Sequence, residues 1–385
     1  MKKVHLLTYL IFILLLSPPV LVSGIQTNSL PLFNEQQNKN SENINDKISV
    51  LPSFSSFFSS FPFLLSKTTD DVSSFFHPEN ITLSDDAYHG SNKKYAVEWW
   101  YFDTSLNQRF TLQFGIYIYT VFNTGFTTIQ CNIYDQGKLI ISDGSVYSLS
   151  QVSFSQHSPF IKINDKTVMN GRETMDNLSM YQISYSNDHY SFYLNLQGMT
   201  DGWKGTTSAG DWAVSLPKAL VTGSLFIQNT SYDVSGIGYH DHNWNVTLSA
   251  GLNFGWLWGK TLTKHHVLTW ATIFETWYKR NPLLVINKDN NGFFDIPAEQ
   301  IDFSVTKIKF QDGMLIPFGF TLSAYSSQCN ISLSVEIIHS DHSTVLRLIN
   351  YWRYHIHTTG TITIKDYTET INEYNIAEFI RFRPY

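Results

Sequence analysis

Three short runs hold most of the side chains able to do chemistry. The first is Tyr95-Ala-Val-Glu-Trp-Trp-Tyr-Phe-Asp103. Successive side chains of a strand point to opposite faces, so Glu98, Trp100 and Phe102 share one face and Val97, Trp99 and Tyr101 the other. A carboxylate set among rings must be paired, or its pKa must rise. Glu98 is therefore either a cavity acid or ligand anchor, or a structural group accepting backbone or Trp N–H bonds. The second run is Gly236-Ile-Gly-Tyr-His-Asp-His-Asn-Trp-Asn245. Here His240, His242 and Trp244 face one side while Tyr239, Asp241 and Asn243 face the other, and Asp241 shares a cavity with His242 only if a bulge breaks the alternation. The His240-x-His242 spacing, repeated at His355-x-His357, suits a metal. Zinc and iron sites need three or four ligands, however, and the local sequence places no third one. The competing reading is imidazoles hydrogen-bonded within the sheet, so neither a metal nor any other cofactor is assigned. The third run, Gly255-Trp-Leu-Trp-Gly259, puts Trp256 and Trp258 on one face, with Trp270 and Trp277 beyond it. These rings line a ligand cavity, or they form core or an inter-domain seam. No Gly-rich phosphate loop, nucleophile elbow or Cys-x-x-Cys pair accompanies them, which removes support from nucleotide and ordinary hydrolase chemistry.

The elements that must position these groups read as strands. In Arg109–Ile118, Phe110, Leu112, Phe114, Ile116 and Ile118 alternate with Thr111, Gln113 and Tyr117. Tyr190–Leu196, His265–Phe274, Ile301–Phe310, Phe320–Ile337 and Ser343–Ile364 share that character, and no stretch of helical length keeps a clean apolar stripe. Asp135-Gln-Gly137, Asn170-Gly171, Asn291-Gly292 and Asp312-Gly313 read as hairpin turns. The pattern predicts all-β meanders closing as barrels or sandwiches. At 385 residues the chain exceeds what one core usually supports, and a seam just after Trp244 predicts domains at 88–248 and 249–385. With 43% hydrophobic residues and 28 Phe, 21 Tyr and 10 Trp, it can bury large cores. A net charge of -6 lacks the basic surplus that phosphate neutralisation requires, so nucleic acid is not an expected partner.

The N-terminus pairs Lys2-Lys3 with an apolar run from Leu6 to Leu16 and the small residues Ser23 and Gly24. This predicts a signal peptide over 1–24 and an exported protein, with an uncleaved anchor as the alternative. Residues 25–87 read as a Ser- and Asn-rich linker. Within it, the Phe-rich cluster 54–65 is too apolar for a solvated tether; it packs on the body, makes peripheral membrane contact or plugs a cavity mouth. Cys131 and Cys329 read equally well as a bridge or as two buried thiols.

Glu98-Trp-Trp-Tyr-Phe102 together with Gly238-Tyr-His-Asp-His-Asn-Trp244 resembles the paired signatures of the AttH/hydroxyneurosporene synthase family. That family includes carotenoid 1,2-hydratases and is related to lipocalin-like Diels–Alderases. Gly223-Ser-Leu-Phe-Ile-Gln228, Tyr232-Asp-Val-Ser-Gly236, Tyr351-Trp352 and Ala377-Glu-Phe379 extend the likeness over roughly residues 88–383. The resemblance implies two tandem lipocalin-like antiparallel β-barrels with an apolar isoprenoid- or carotenoid-type ligand near their junction. It further implies hydratase- or cyclase-like catalysis in which His242 and Trp244 match motif positions linked to activity; Glu98 and Asp241 are the candidate catalytic carboxyls beside them. Trp99, Trp100, Tyr101, Tyr239, His240, Trp256, Trp258 and Trp270 are the expected ligand-binding residues. A Tyr-x-Asp expected on the next strand is missing, its neighbourhood reading Thr269-Trp-Ala271, and Asn245 replaces the usual Gly. Because alkene hydration starts with protonation, an acid kept neutral at pH 7 is needed, and Glu98 among Trp rings suits that task better than Asp241 beside two histidines. The non-catalytic alternatives are an extracytoplasmic lipid carrier and a surface interaction module.

Overall fold

The computed structural model describes residues 76–90, 95–121, 124–174, 178–246, 255–274, 279–289, 292–345 and 349–381. The expected signal peptide, most of the expected linker with its cluster at 54–65, Asn291 and Trp277 lie outside the described residues. The first sheet contains β1 (Glu79–Asn80), β2 (Tyr95–Leu106), β3 (Phe110–Val121), β4 (Thr124–Asp135), β5 (Lys138–Ser148), β6 (Val152–Phe154), β7 (Phe160–Ile163), β8 (Lys166–Glu173), β9 (Ser179–Ser186), β10 (Tyr190–Gly198), β11 (Trp203–Thr207), β12 (Gly210–Ile227) and β13 (Thr230–Val246). The second contains β14 (Gly255–Leu262), β15 (His266–Phe274), β16 (Arg280–Lys288), β17 (Phe293–Ile296), β18 (Ile301–Gln311), β19 (Met314–Tyr325), β20 (Cys329–Val345), β21 (Ile349–Ile364) and β22 (Tyr367–Arg381).

Every ladder is antiparallel, and the two sheets share one plan. In the first, the order β5-β4-β3-β2-β13-β12-β10-β9-β8-β7-β6 makes the last strand pair with β2, curling the meander back on itself. In the second, β17-β16-β15-β14-β22-β21-β20-β19-β18 does the same through β14 and β22. Each ring thus has its gap after its fourth main strand, spanned by a single 3-10 turn at Leu149–Gln151 or Ala298–Gln300. These are two tandem lipocalin-like barrels.

The alternation read from the sequence explains each core. Phe110, Leu112, Phe114, Ile116 and Ile118 all enter the first barrel. Trp270, Phe320, Trp352 and Phe379 enter the second. Hairpins β4–β5 and β18–β19 turn on Gln136-Gly137 (φ 50° and 78°) and Asp312-Gly313 (φ 51° and 79°), the paired positive φ of a type I′ turn.

Three expectations need correction. Asn170-Gly171 lies inside β8; a Cβ on Gly171 would sit 2.4 Å from Pro159 and 2.6 Å from the Tyr181 ring, so the glycine serves a close approach, not a turn. Phe320–Ile337 is two strands, β19 and β20, broken at Ser326, whose hydroxyl accepts the Gln328 and Cys329 N–H groups. Residues 76–87 belong to the first barrel: β1 pairs with β11, and the 3-10 turn Leu83–Asp86 leaves Asp86 completely buried. Both cysteines are buried free thiols, Cys131 in the first core and Cys329 in the second.

Candidate functional site

Strands β2 and β13 pair along their length, placing Trp100 opposite His242 and Phe102 opposite His240. Close packing helps: a Cβ on Gly236 would fall 1.9 Å from the Ser105 carbonyl oxygen. Both strands keep strict alternation through the motifs, so they present two faces and two separate clusters.

The inner face holds a buried network of acids and imidazoles. His242 Nε2 lies 2.9 Å from Glu98 Oε1, and its Nδ1 lies 3.2 Å from Asp86 Oδ1, off line for a hydrogen bond. His240 donates from Nδ1 to the Tyr101 carbonyl at 2.9 Å and places Nε2 2.9 Å from Asp86 Oδ2, which also accepts the Tyr181 hydroxyl. Trp100 donates to the Asp86 carbonyl at 3.0 Å and stacks on His242 at 4.5 Å. His89 donates its backbone N–H to Glu98 Oε1 at 3.0 Å, sets Nδ1 3.3 Å from the same oxygen, and stacks on Trp244 at 4.0 Å. Burial would push both carboxyls up, but the histidines outweigh it, and Asp86 and Glu98 are both held below the ordinary carboxylate range. Burial likewise opposes charge on His242, yet the two carboxylates beside it, Asp86 and the hydrogen-bonded Glu98, raise it to about 9. Glu98 is thus an ion-paired carboxylate, not the neutral acid expected from its aromatic neighbours.

The outer face of the same strands meets the second barrel. Trp99, Tyr101 and Tyr239 pack there with Trp212 and Trp258, and Trp99 stacks on Trp256 across the seam at 6.3 Å. Asp241 points into this seam, accepting the Tyr239 hydroxyl at 2.8 Å and the Trp212 N–H at 3.1 Å. Burial raises its carboxyl to about 7 against those bonds, reversing the expectation that the flanking histidines depress it. From the second barrel come Lys260, 2.6 Å from Asp103 and 4.4 Å above the Tyr239 ring, and Arg353, which donates to the Tyr101 hydroxyl at 3.0 Å. Two further nitrogens of Arg353 are buried without a protein partner. Glu378 accepts the Tyr351 hydroxyl at 2.6 Å and the Gln113 amide at 3.3 Å, and burial raises its carboxyl despite Arg353 nearby.

The expected site residues therefore divide. Glu98, Trp100, His240, His242 and Trp244 gather inside the first barrel, while Trp99, Tyr101, Tyr239, Asp241, Trp256 and Trp258 gather at the seam. The expected grouping of Asp241 with His242 fails because no bulge interrupts 239–243. Trp270 belongs to neither cluster: it is fully buried in the second core, packed on Phe320. The His-x-His pairs do not chelate as pairs, since Nε2 of His240 turns to Asp86 and Nε2 of His242 to Glu98, and His357 binds Asn372 at 2.7 Å. Residues outside the expected set are Asp86, His89, Lys260, Tyr351, Arg353 and Glu378. Of these, Tyr351 and Glu378 lay within segments that carried the family likeness.

Hollows of ligand size occur among the described residues. One of about 700 Å³, between 299–302, 323–325 and 330–332, lies at one end of the second barrel and touches neither cluster. Another of about 480 Å³ is walled by His77, Glu79, 204–206, Asp211 and Trp244, so it reaches the ring on which His89 stacks.

Fold and clusters together define a tandem lipocalin-like barrel protein with a polar network in one barrel and an aromatic seam between the two. No family model matches the chain, and comparison with curated proteins finds no match. Solved structures do share the fold. An AttH-like protein from Nitrosomonas europaea aligns with TM-score 0.59 and 12% identity over 79% of this chain and 98% of its own. CghA with Sch210972 aligns with TM-score 0.57 and 10% identity over 76% of this chain and 90% of its own. Kievitone hydratase from Nectria haematococca aligns with TM-score 0.53 and 13% identity over 80% and 98%.

Proposed function

We propose that the protein binds an apolar isoprenoid- or carotenoid-type molecule in the seam between its barrels and hydrates or cyclises it by proton transfer. The carrying observation is the pairing of Glu378 with Tyr351, with Glu378 lying opposite Trp258 of the aromatic seam. Protonating an alkene needs a carboxyl kept neutral and a surface that tolerates the cation; burial raises Glu378, and aromatic faces stabilise positive charge. The side chain of Glu378 is 12% exposed, which leaves it within reach of a ligand, whereas Asp241 has both its Tyr239 and Trp212 bonds on one oxygen and positions those rings. The register adds support. Strand β14 runs between β15 and β22, with Trp258 opposite Ala271 on one side and Glu378 on the other. The carboxyl that the family likeness leads one to expect on β15 is supplied from the other side of Trp258. The solved hydratase with this fold is consistent with such chemistry.

The second reading, a lipid carrier, is favoured by Thr269 and Ala271 standing where the Tyr-x-Asp would be. One experiment separates the two. Purified protein is incubated with a lipid extract, and bound and converted components are identified by mass spectrometry. Glu378→Gln is expected to retain the ligand and lose the product; a ligand retained without conversion by the unaltered protein selects carriage, conversion undiminished in Glu378→Gln removes Glu378 as the acid, and failure to retain any component sinks both readings. The reading also places the protein outside the cytoplasm, and a mature N-terminus sequenced near residue 25 is the expected check.

A further inference from the structure

The geometry points to a divalent transition-metal site, of the kind zinc occupies, formed by His89, Glu98 and His242 inside the mouth of the first barrel. One donor atom from each of the three lies within 4.8 Å of the others. They come from three parts of the chain: the segment before β2, β2 itself and β13. Two imidazoles and one carboxylate form a three-ligand zinc set that leaves a fourth position for water or another ligand.

What surrounds the three argues for more than an ion-pair cluster. A metal-bound imidazole characteristically presents its other ring nitrogen to a carboxylate, which fixes the ring. His242 does so: with Nε2 toward Glu98, its Nδ1 lies 3.2 Å from Asp86 Oδ1. Asp86 is in turn held by His240 and Tyr181, and Trp100 and Trp244 wall the imidazoles. Access is present as well, since the His89 side chain is 27% exposed and its stacking partner Trp244 borders the hollow of about 480 Å³. An ion there takes the place of the protons that Glu98 now shares with the two rings, and it clamps residues 88–90 to the barrel. A second mixed cluster, His339, Asp341 and His355, is the natural control: His339 lies 3.1 Å from one oxygen of Asp341 and His355 3.8 Å from the other.

The test titrates the full chain, freed of metal by chelation, with Zn²⁺ in a calorimeter, and with Co²⁺ while recording visible absorption. The expected result is one equivalent bound, with tetrahedral Co²⁺ ligand-field bands that His89→Ala abolishes and His339→Ala leaves intact. Because His89 is exposed, its variant tests the site without emptying the core, and a matching circular dichroism melt confirms folding. Loss of one ligand is expected to weaken binding by more than the roughly 10–100-fold typical of outer-shell changes. Absence of stoichiometric binding, or binding that survives His89→Ala and disappears with His339→Ala, overturns the assignment.

Discussion

Asp86 carries more of the first cluster than any other side chain: it meets His240, His242 and Tyr181 while fully buried. Truncating one member of such a set leaves the others desolvated and unpaired, at a cost of about 3–5 kcal/mol. Asp86→Ala is therefore expected to lower the urea midpoint sharply, whereas Asp85→Ala, whose carboxylate pairs with the partly exposed Lys204, changes it little. The faces of Glu98, His242 and Asp241 were legible from alternation alone, and the structure keeps them. Their acidities were not legible, because the reading took partners from sequence neighbours. The histidines flanking Asp241 point away from it, and the histidine that ionises Glu98 lies 144 positions distant. Asp86 was hidden for the same reason: nothing in a Ser-rich segment tells a linker from a strap until its burial is known.

At the scale of elements, period two identified most strands, β15 among them, but it assigns no face where a strand is buried on both sides. In β15 all nine residues are buried, with Trp270 and Phe274 in the second core and Ala271 at the seam. A ring there can be assigned to either face only once the barrel is closed. The same strand begins at a polar clasp in which Glu369 of β22 accepts the Thr263 hydroxyl at 2.9 Å and the Lys264 N–H at 2.7 Å and faces His266 Nδ1 at 2.9 Å. Burial would raise the Glu369 carboxyl, but these partners hold it below its ordinary 4.5. A carboxyl depressed in the folded state stabilises fully above that ordinary value, and its contribution fades as the pH falls through the folded one. Thermal melts of Glu369→Gln are expected to lie below wild type near pH 7 and to converge with it in acid; a gap that persists unchanged at about pH 3 contradicts this assignment.

For the whole molecule, the barrels are joined through buried polar bonds as well as rings. Asp103 and Lys260 meet at 2.6 Å with side chains only 7% and 4% exposed. Removing one charge strands the other, so Asp103→Ala is expected to cost about 3–5 kcal/mol, while Asp103→Leu with Lys260→Met recovers most of it. Denaturation of the two single variants and the double variant completes the cycle. The gap in each ring has a different consequence, one for solubility. Strands β5 and β18, each of 11 residues, have a ladder partner on one side only among the described residues. A bare strand edge is a template for another chain, and charged side chains discourage that templating. On β18 the exposed Ile308 and Phe310 alternate with Lys307 and Lys309. Those lysines act as gatekeepers, and Lys307→Thr with Lys309→Thr is expected to leave the fold intact by circular dichroism while driving the protein into edge-to-edge oligomers visible by sedimentation.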